Sequence, residues 1–458
     1  MNPIPWLSLY PLECVAVAGA AALVVARWLP ARTRRPVAIG AAAVSVVSAV
    51  ALLVVGVRWQ LAPVLAGMVL AIAALATTIV PRQTPRPAPK WLTVLGTVVL
   101  AGLVVTGPLA AWGFPVPELP NPTGKHPVGT AVLQWTDKER AETATADPDD
   151  RRVVVAQFWY PAASAAGEHA PYFGRTPAEA DLVAHAQAEY VGIPGFLLDG
   201  LARARTASVL DAKPASGRFP VVLFSPGLGG VRGQNTVWAQ ELASHGYVVV
   251  ALDHPYDSAA VVLENGTVVR TRITTSGTTT AGWTAVRAQD LSFVHAQLDH
   301  TRFAGMLDLD RVAVTGHSVG GGAALMAARQ DHRFAAVIDL DGFPYDPEPQ
   351  PFPQQALVLN HPLVLGESPN FLPTADHVLA LSESGGYRVE VPGSAHLTFT
   401  DAPIWLPPVP TVVGTLGRDG GPALTSAVTL AFLDHALNGK PMDLSRFGLL
   451  RYAQPGIG

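Results

Sequence analysis

A single cysteine, Cys14, is present in 458 residues, and it lies in an apolar run. That excludes an internal disulfide, a cysteine-based metal site and a cysteine nucleophile in the rest of the chain. Charge is scarce as well, at 14% of residues against 49% hydrophobic. The formal net charge of -4 gives no hint of nucleic-acid binding. No glycine-rich loop is followed by Lys-Ser/Thr, so phosphate-loop nucleotide hydrolysis is not indicated. Nor is there an internal repeat.

What the chain has in excess is long apolar sequence, concentrated in residues 1–113. Four stretches approach or exceed a bilayer-spanning length: about Pro11–Leu29, Pro36–Val57, Leu61–Val80 and Leu92–Trp112. Arg27, Arg32, Arg34 and Arg35 cluster at the first joint, and Arg82, Arg86 and Lys90 at the third. The second joint holds only Arg58, and Met1–Tyr10 has no Lys or Arg. The positive-inside rule puts the first and third joints in the cytoplasm and everything after Trp112 outside. Trp6, Trp28, Trp59, Trp91 and Trp112 fall near the expected interfaces. A cleaved signal peptide would need a basic n-region, which is absent. Glu13 is the one acidic residue inside a span, which favours an anchor over a transport path. Phe114–Lys125 is proline-rich and reads as a stiff spacer.

Residues 126–458 alternate short apolar runs with helical patterns. Expected strands are Gly129–Trp135, Val153–Tyr160, Pro220–Phe224, Tyr247–Leu252, Arg311–Thr315, Ala335–Leu340, Pro362–Leu365 and Tyr387–Val391. Expected helices are Asn235–Ser244, Thr284–His300, Val319–Gln330 and Leu424–Leu437. Such alternation predicts a mostly parallel sheet with helices on both faces, and a site at the strands' carboxyl ends. Ala162–Arg218 is long for a connection and reads as a lid or binding element, with Tyr190–Leu201 a candidate membrane-facing entrance.

Gly316-His317-Ser318-Val319-Gly320 joins an apolar strand to a small-residue helix. A G-x-S-x-G turn in that setting strains the backbone and lifts a serine hydroxyl above the sheet. The hydroxyl needs a base, expected late in the chain, with a carboxylate between the two in chain order. His396, in the loop after Tyr387–Val391, fits the base; His317, His332, His361, His377 and His435 fit less well, and His317 is expected to point away from the reaction. Asp341 and Asp339 both end the strand before it and share a face by alternation; Asp341 lies farther out, and Asp346 is a third option. The oxyanion hole calls for two backbone N–H groups, from Val319 and from Leu228 in the loop Ser225–Gly230. Asp253 and His254 end another strand and are expected to structure a loop or line the pocket, since two ligands make a weak metal signal.

These pieces resemble the platelet-activating-factor acetylhydrolase type of α/β-hydrolase. The likeness rests on HPVGT at His126–Thr130, FWYPA at Phe158–Ala162, FSPGLGG at Phe224–Gly230, LDHPY at Leu252–Tyr256, GHSVGG at Gly316–Gly321, LDG at Leu340–Gly342 and GSAH at Gly393–His396. It implies an α/β-hydrolase fold after the membrane region, Ser318 as nucleophile, Asp341 as acid, His396 as base, and Leu228 and Val319 as oxyanion donors. Pro226 stands where the family carries histidine, and Val319 where it often carries phenylalanine.

The expectation is therefore a multi-pass membrane region at 1–113, a linker at 114–125 and an extracytoplasmic α/β-hydrolase at 126–458. It would cleave carboxylic esters, lipid or short-acyl, through an acyl-serine, with no cofactor, no metal and no nucleic-acid partner. The rivals are an acyltransferase using Ser318 and a non-catalytic binding module.

Overall fold

The computed structural model describes residues 8–79, 89–273, 279–345, 350–364, 368–443, 447 and 451–453. Trp6, Val80, Arg82, Arg86, Asp346 and Leu365, all named above, lie outside them. The chain divides into two compact units, Met1–Val116 and Pro117–Gly458.

The first unit is helical: Pro11–Ala26, Ala31–Val55, Ala62–Ile79 and Lys90–Gly113. Among the described residues, three helices are long and apolar enough to cross a membrane, where the sequence led us to expect four spans. The exception is the first. It breaks at Arg27 after 16 residues, about 24 Å at 1.5 Å per residue, short of a hydrocarbon core of about 30 Å. Small residues allow close packing of these helices. A Cβ on Gly107 would sit 2.4 Å from Val64 Cγ2, and one on Gly19 would sit 2.9 Å from Ser45 Oγ. Glu13 is buried against Arg58, whose Nε donates to it at 2.7 Å, so the acid in the first apolar stretch is neutralised within the unit.

The second unit holds thirteen described strands: β1 (Val128–Ala141), β2 (Arg151–Pro161), β3 (His169–Pro171), β4 (Arg205–Leu210), β5 (Phe219–Ser225), β6 (Val248–Asp253), β7 (Ala260–Val262), β8 (Val268–Arg270), β9 (Leu307–His317), β10 (Ala336–Leu340), β11 (Gln355–Asn360), β12 (Gly386–Glu390) and β13 (Arg451–Ala453). Eleven form one sheet in the order β13-β12-β11-β10-β9-β5-β6-β2-β1-β4-β3, and β7 and β8 make a hairpin. From β6 through β12 the neighbours run parallel. Alternate side chains explain why these strands read as continuous apolar runs. Val221, Leu223, Val312 and Val314 pack with helices Thr280–Gln297 and Val319–Gln330 on one face. Val222, Phe224, Ala313 and Ile338 pack with helices Thr236–Ser244 and Gly420–Asn438 on the other.

Two expectations shift. The strand placed at Pro362–Leu365 is β11, five or more residues earlier, with His361 just past its end. Ala162–Arg218 is not one lid: it contributes β3, β4 and the helix Pro177–Tyr190 to the sheet's edge and cover. Within the spacer, Thr123 N–H donates to Glu241 at 2.8 Å and Gly124 N–H to Ser244 Oγ at 3.0 Å, so its second half is fastened to the second unit.

Candidate active site

Strand order sets the site. β5 has β6 on one side and β9 on the other, the reversal point at which clefts open above parallel sheets. The loop after β5 carries Leu228, the turn after β9 carries Ser318, and the turns after β10 and β12 carry Asp341 and His396.

Ser318 has φ +56° and ψ -124°, the strained conformation expected of this turn. The flanking glycines are forced by backbone: a Cβ on Gly320 would lie 2.1 Å from the Ser225 carbonyl, and one on Gly316 2.2 Å from that of Gly320. His396 Nε2 lies 3.0 Å from Ser318 Oγ, and its Nδ1 lies 2.7 Å from Asp341 Oδ2. Three of the residues expected to act together are thus one hydrogen-bonded chain. With the Nδ1 proton given to Asp341, Nε2 is left to accept from the serine hydroxyl.

Asp339 and Asp341 part company because Asp341 leaves the strand at φ +59°. Alternation along the strand therefore no longer relates them. Asp339 is buried, accepts the Gly342 N–H at 2.7 Å, and is pushed well above the usual carboxylate range by that burial. Asp341 is buried too, which alone would raise its pKa. Hydrogen bonds from His361 and then His396 outweigh this and bring it to about 2.

The loop Ser225–Gly230 is held from behind. Gly227, Gly229 and Gly230 N–H groups donate to Gln234 Oε1, Asp257 Oδ1 and the Gly227 carbonyl at 3.0, 3.2 and 2.8 Å. The Leu228 N–H has no such partner among the described residues, and neither has that of Val319, first residue of its helix. Arg287, fully buried, donates through Nη2 to the Gly227 carbonyl at 2.9 Å and through Nη1 to that of Pro226. It is paired with Asp257 by bonds of 2.5 and 2.6 Å. In a trans peptide the carbonyl and the next N–H point opposite ways. Anchoring the Gly227 carbonyl to Arg287 therefore turns the Leu228 N–H to the other side.

His317 does not point away from the reaction. Its Nε2 lies 2.9 Å from the His396 carbonyl, its Nδ1 lies 3.1 Å from Gln234 Nε2, and its ring is 4.7 Å from that of His396. Burial and then the neighbouring His396 lower it to about 3, so it is neutral and serves as a tie between Gln234 and the His396 backbone. His361 was also undervalued. Its Nδ1 lies 2.8 and 2.7 Å from the two oxygens of Asp341, and its N–H donates to the same group at 3.0 Å. Its place at the carboxyl end of the strand beside β10, which leads into Asp341, was the missed signal.

Asp253 and His254 do structure loops. Asp253 pairs with Arg232. His254 bridges Asp290 at 2.7 Å and Ser225 Oγ at 2.9 Å. That Asp-His-Ser chain repeats the order of groups at Ser318 but is wholly buried, so no substrate reaches it.

A cavity of about 220 Å3 opens over Ser318, lined also by Val319, Phe343, Tyr345, His361 and Phe371. Asp341, His361 and His396 offer ligand atoms close enough together to hold a metal ion. The first and last are already committed to each other and to Ser318, so the donor set fits a proton relay better than a metal.

The family model described as "Platelet-activating factor acetylhydrolase, isoform II" matches residues 114–271 and 280–439. The chain belongs to that family. A second model, "PET hydrolase-like", matches residues 206–352. A "Probable 1-alkyl-2-acetylglycerophosphocholine esterase" of Arthroderma benhamiae is 31% identical over 243 residues, 49% of this chain and 58% of that one. "Platelet-activating factor acetylhydrolase" of Cavia porcellus is 26% identical over 157 residues, 27% of this chain and 35% of that one. The chain thus spans between about a third and three fifths of these relatives' length. A solved "Ferulic acid esterase" of Streptomyces cinnamoneus superposes with a TM-score of 0.63 at 28% identity, covering 73% of this chain and 99% of that one. The likeness to a complete esterase structure carries the α/β-hydrolase fold.

Proposed function

We propose that the chain is a membrane-anchored serine hydrolase that cleaves carboxylic esters through an acyl-serine. The observation that carries the reading is the Asp341–His396–Ser318 hydrogen-bonded chain on a strained turn beneath an open cavity. In the first step His396 Nε2 takes the Ser318 proton as Oγ attacks the ester carbonyl. Asp341 stabilises the imidazolium and fixes its tautomer. The N–H groups of Leu228 and Val319 receive the oxyanion. The C–O bond then breaks and the imidazolium protonates the departing alcohol. Water, deprotonated by the same imidazole, attacks the acyl-serine and releases the acid. No metal or organic cofactor takes part.

The relatives' names favour short-acyl glycerophospholipid or aromatic-acid esters. A cavity of about 220 Å3 lined by Phe343, Tyr345 and Phe371 suits a short or flat acyl group, being smaller than the roughly 300 Å3 at which drug-sized pockets begin. Three apolar helices favour an integral membrane location, and the arginine-rich first joint favours an extracytoplasmic hydrolase. Exposed Val191 and Phe196 follow Tyr190, whose ring packs on Gly229 of the oxyanion loop, a suitable entrance for lipophilic esters.

The test is hydrolysis of p-nitrophenyl esters of increasing acyl length by the full chain in detergent, beside Ser318→Ala. Turnover falling off beyond short acyl chains and absent from the variant is expected. No turnover on any ester, with no fluorophosphonate labelling of Ser318, would sink the reading.

A further inference from the structure

The helical unit contains eight basic side chains before residue 117 and one acidic one, Glu13. Glu13 is consumed by Arg58. No side-chain anion is left in the unit for Arg27 or Arg34. Both line a cavity of about 510 Å3. Below them its wall is apolar, formed by Leu23 and Val24 of the first helix, Leu75 of the third and Leu100 of the fourth. The cavity has a geometric origin: the first helix stops at Ala26 while its neighbours are longer. Trp28 Nε1 donates to Thr97 Oγ1 at 3.2 Å and fixes the chain where it leaves that helix.

The two guanidinium groups are held at the mouth in different ways. Arg34 donates through Nε and Nη2 to the Leu29 carbonyl at 3.1 and 3.0 Å, a neutral partner. Arg27 is half-buried, and its Nη1 lies 3.6 Å from where a Cβ on Gly96 would stand. Arg34 is exposed and Arg27 half-buried, and with no acidic side chain left in the unit both are open to an anion arriving from outside. An arginine fork suits phosphate oxygens, and the apolar wall beneath suits a hydrocarbon chain.

We propose that this cavity binds one anionic phospholipid, with its phosphate at Arg27 and Arg34 and an acyl chain along Leu23, Leu75 and Leu100. The inference rests on the membrane reading above and is independent of the chemistry at Ser318. It gives the helical unit a lipid preference, drawn from the leaflet on the arginine-rich side.

The full chain in neutral detergent is titrated with phosphatidylglycerol, phosphatidylcholine or inorganic phosphate, and thermal stability is followed. Phosphatidylglycerol alone should raise the melting temperature. Arg27→Gln/Arg34→Gln should weaken its half-saturation roughly thirtyfold, as two lost surface cations at about 1 kcal/mol each imply. Arg32→Gln/Arg35→Gln, exposed as Arg34 is but outside the cavity, should weaken it severalfold less. Ala71→Trp, which fills the cavity, should abolish the effect while leaving ester turnover intact. Equal loss from both arginine pairs would mean general surface attraction and overturn the site. So would an equal response to phosphatidylcholine, or to phosphate alone. A chain that purifies without detergent would instead refute the membrane reading on which the site rests.

Discussion

Arg287→Lys is the most informative substitution in the hydrolase unit. The native guanidinium makes five bonds: two to Asp257, one each to the Gly227 and Pro226 carbonyls, and a longer one to Ser225 Oγ at 3.3 Å. A lysine ammonium keeps the charge, so Asp257 is not left as a lone buried anion, an outcome that would cost about 3–5 kcal/mol. It is a point charge without the planar fork, so it cannot serve Asp257 and both carbonyls together. The Gly227–Leu228 peptide then keeps only the Gly230 N–H at 2.8 Å on its carbonyl, and the Leu228 N–H loses its fixed direction. Complete loss of one oxyanion donor lowers kcat by about 10²–10³. A partly loosened donor should therefore lower kcat by roughly tenfold to a hundredfold.

Because the donor acts on charge that develops in the transition state, KM should change little. The assay is steady-state hydrolysis of p-nitrophenyl acetate, paired with the inhibition constant of a boronic acid that forms the tetrahedral adduct. Both should worsen in parallel while the melting temperature shows that the fold persists. A companion, Arg287→Met/Asp257→Asn, removes both charges and keeps an acceptor for the Gly229 N–H. It should show the same kinetic loss. If either variant is folded and turns over within twofold of the native chain, the peptide-orientation argument is wrong.

The other expectations concern the acid, its second histidine, a buried carboxyl and a packed glycine. Asp341→Asn should lower kcat by about 10⁴ with little change in KM, by imposing the wrong imidazole tautomer. His361→Asn removes the larger hydrogen-bonding contribution that holds Asp341 near 2, so Asp341 should lie higher; the acid-side loss of kcat/KM should move to higher pH, and an unmoved limb would refute that contribution. Asp401 is fully buried, which raises it to about 7. Its native form holds a proton that the unfolded chain releases near pH 4, so stability should fall as pH rises from about 4 to 7 and then level off. Asp401→Asn should narrow the difference in melting temperature between pH 5 and pH 8. Gly320→Ala should abolish folded, fluorophosphonate-reactive enzyme, since its Cβ would meet backbone at 2.1 Å, whereas Gly305→Ala, with nothing within 4 Å, should be silent.

Much of this was legible in the sequence because the site's main parts are local. A G-x-S-x-G turn between an apolar strand and a small-residue helix declares its own backbone. Strands buried on both faces announce themselves as apolar runs, and Ser318 and Asp341 each follow one, while His396 follows the half-buried β12. What escaped depends on contacts between distant segments. Asp339 and Asp341 are equivalent by alternation, and only the positive φ at Asp341 separates them. His361 sits 20 residues from the acid it holds, at the end of a strand whose polar close, Asn360-His361-Pro362, hid the boundary. Arg287 lies mid-helix, where a basic residue reads as solvent-facing, yet it is fully buried because Asp257 and two carbonyls meet it there. The first apolar stretch misled in the opposite sense: composition counts Arg27, Trp28 and Leu29 into a span, but the helix ends at Ala26. That early stop places Arg27 on a cavity wall, a position that hydropathy cannot show. The residues hardest to read were thus the charged ones that a low-dielectric site cannot tolerate alone. Each is explained only once its partner across the fold is known.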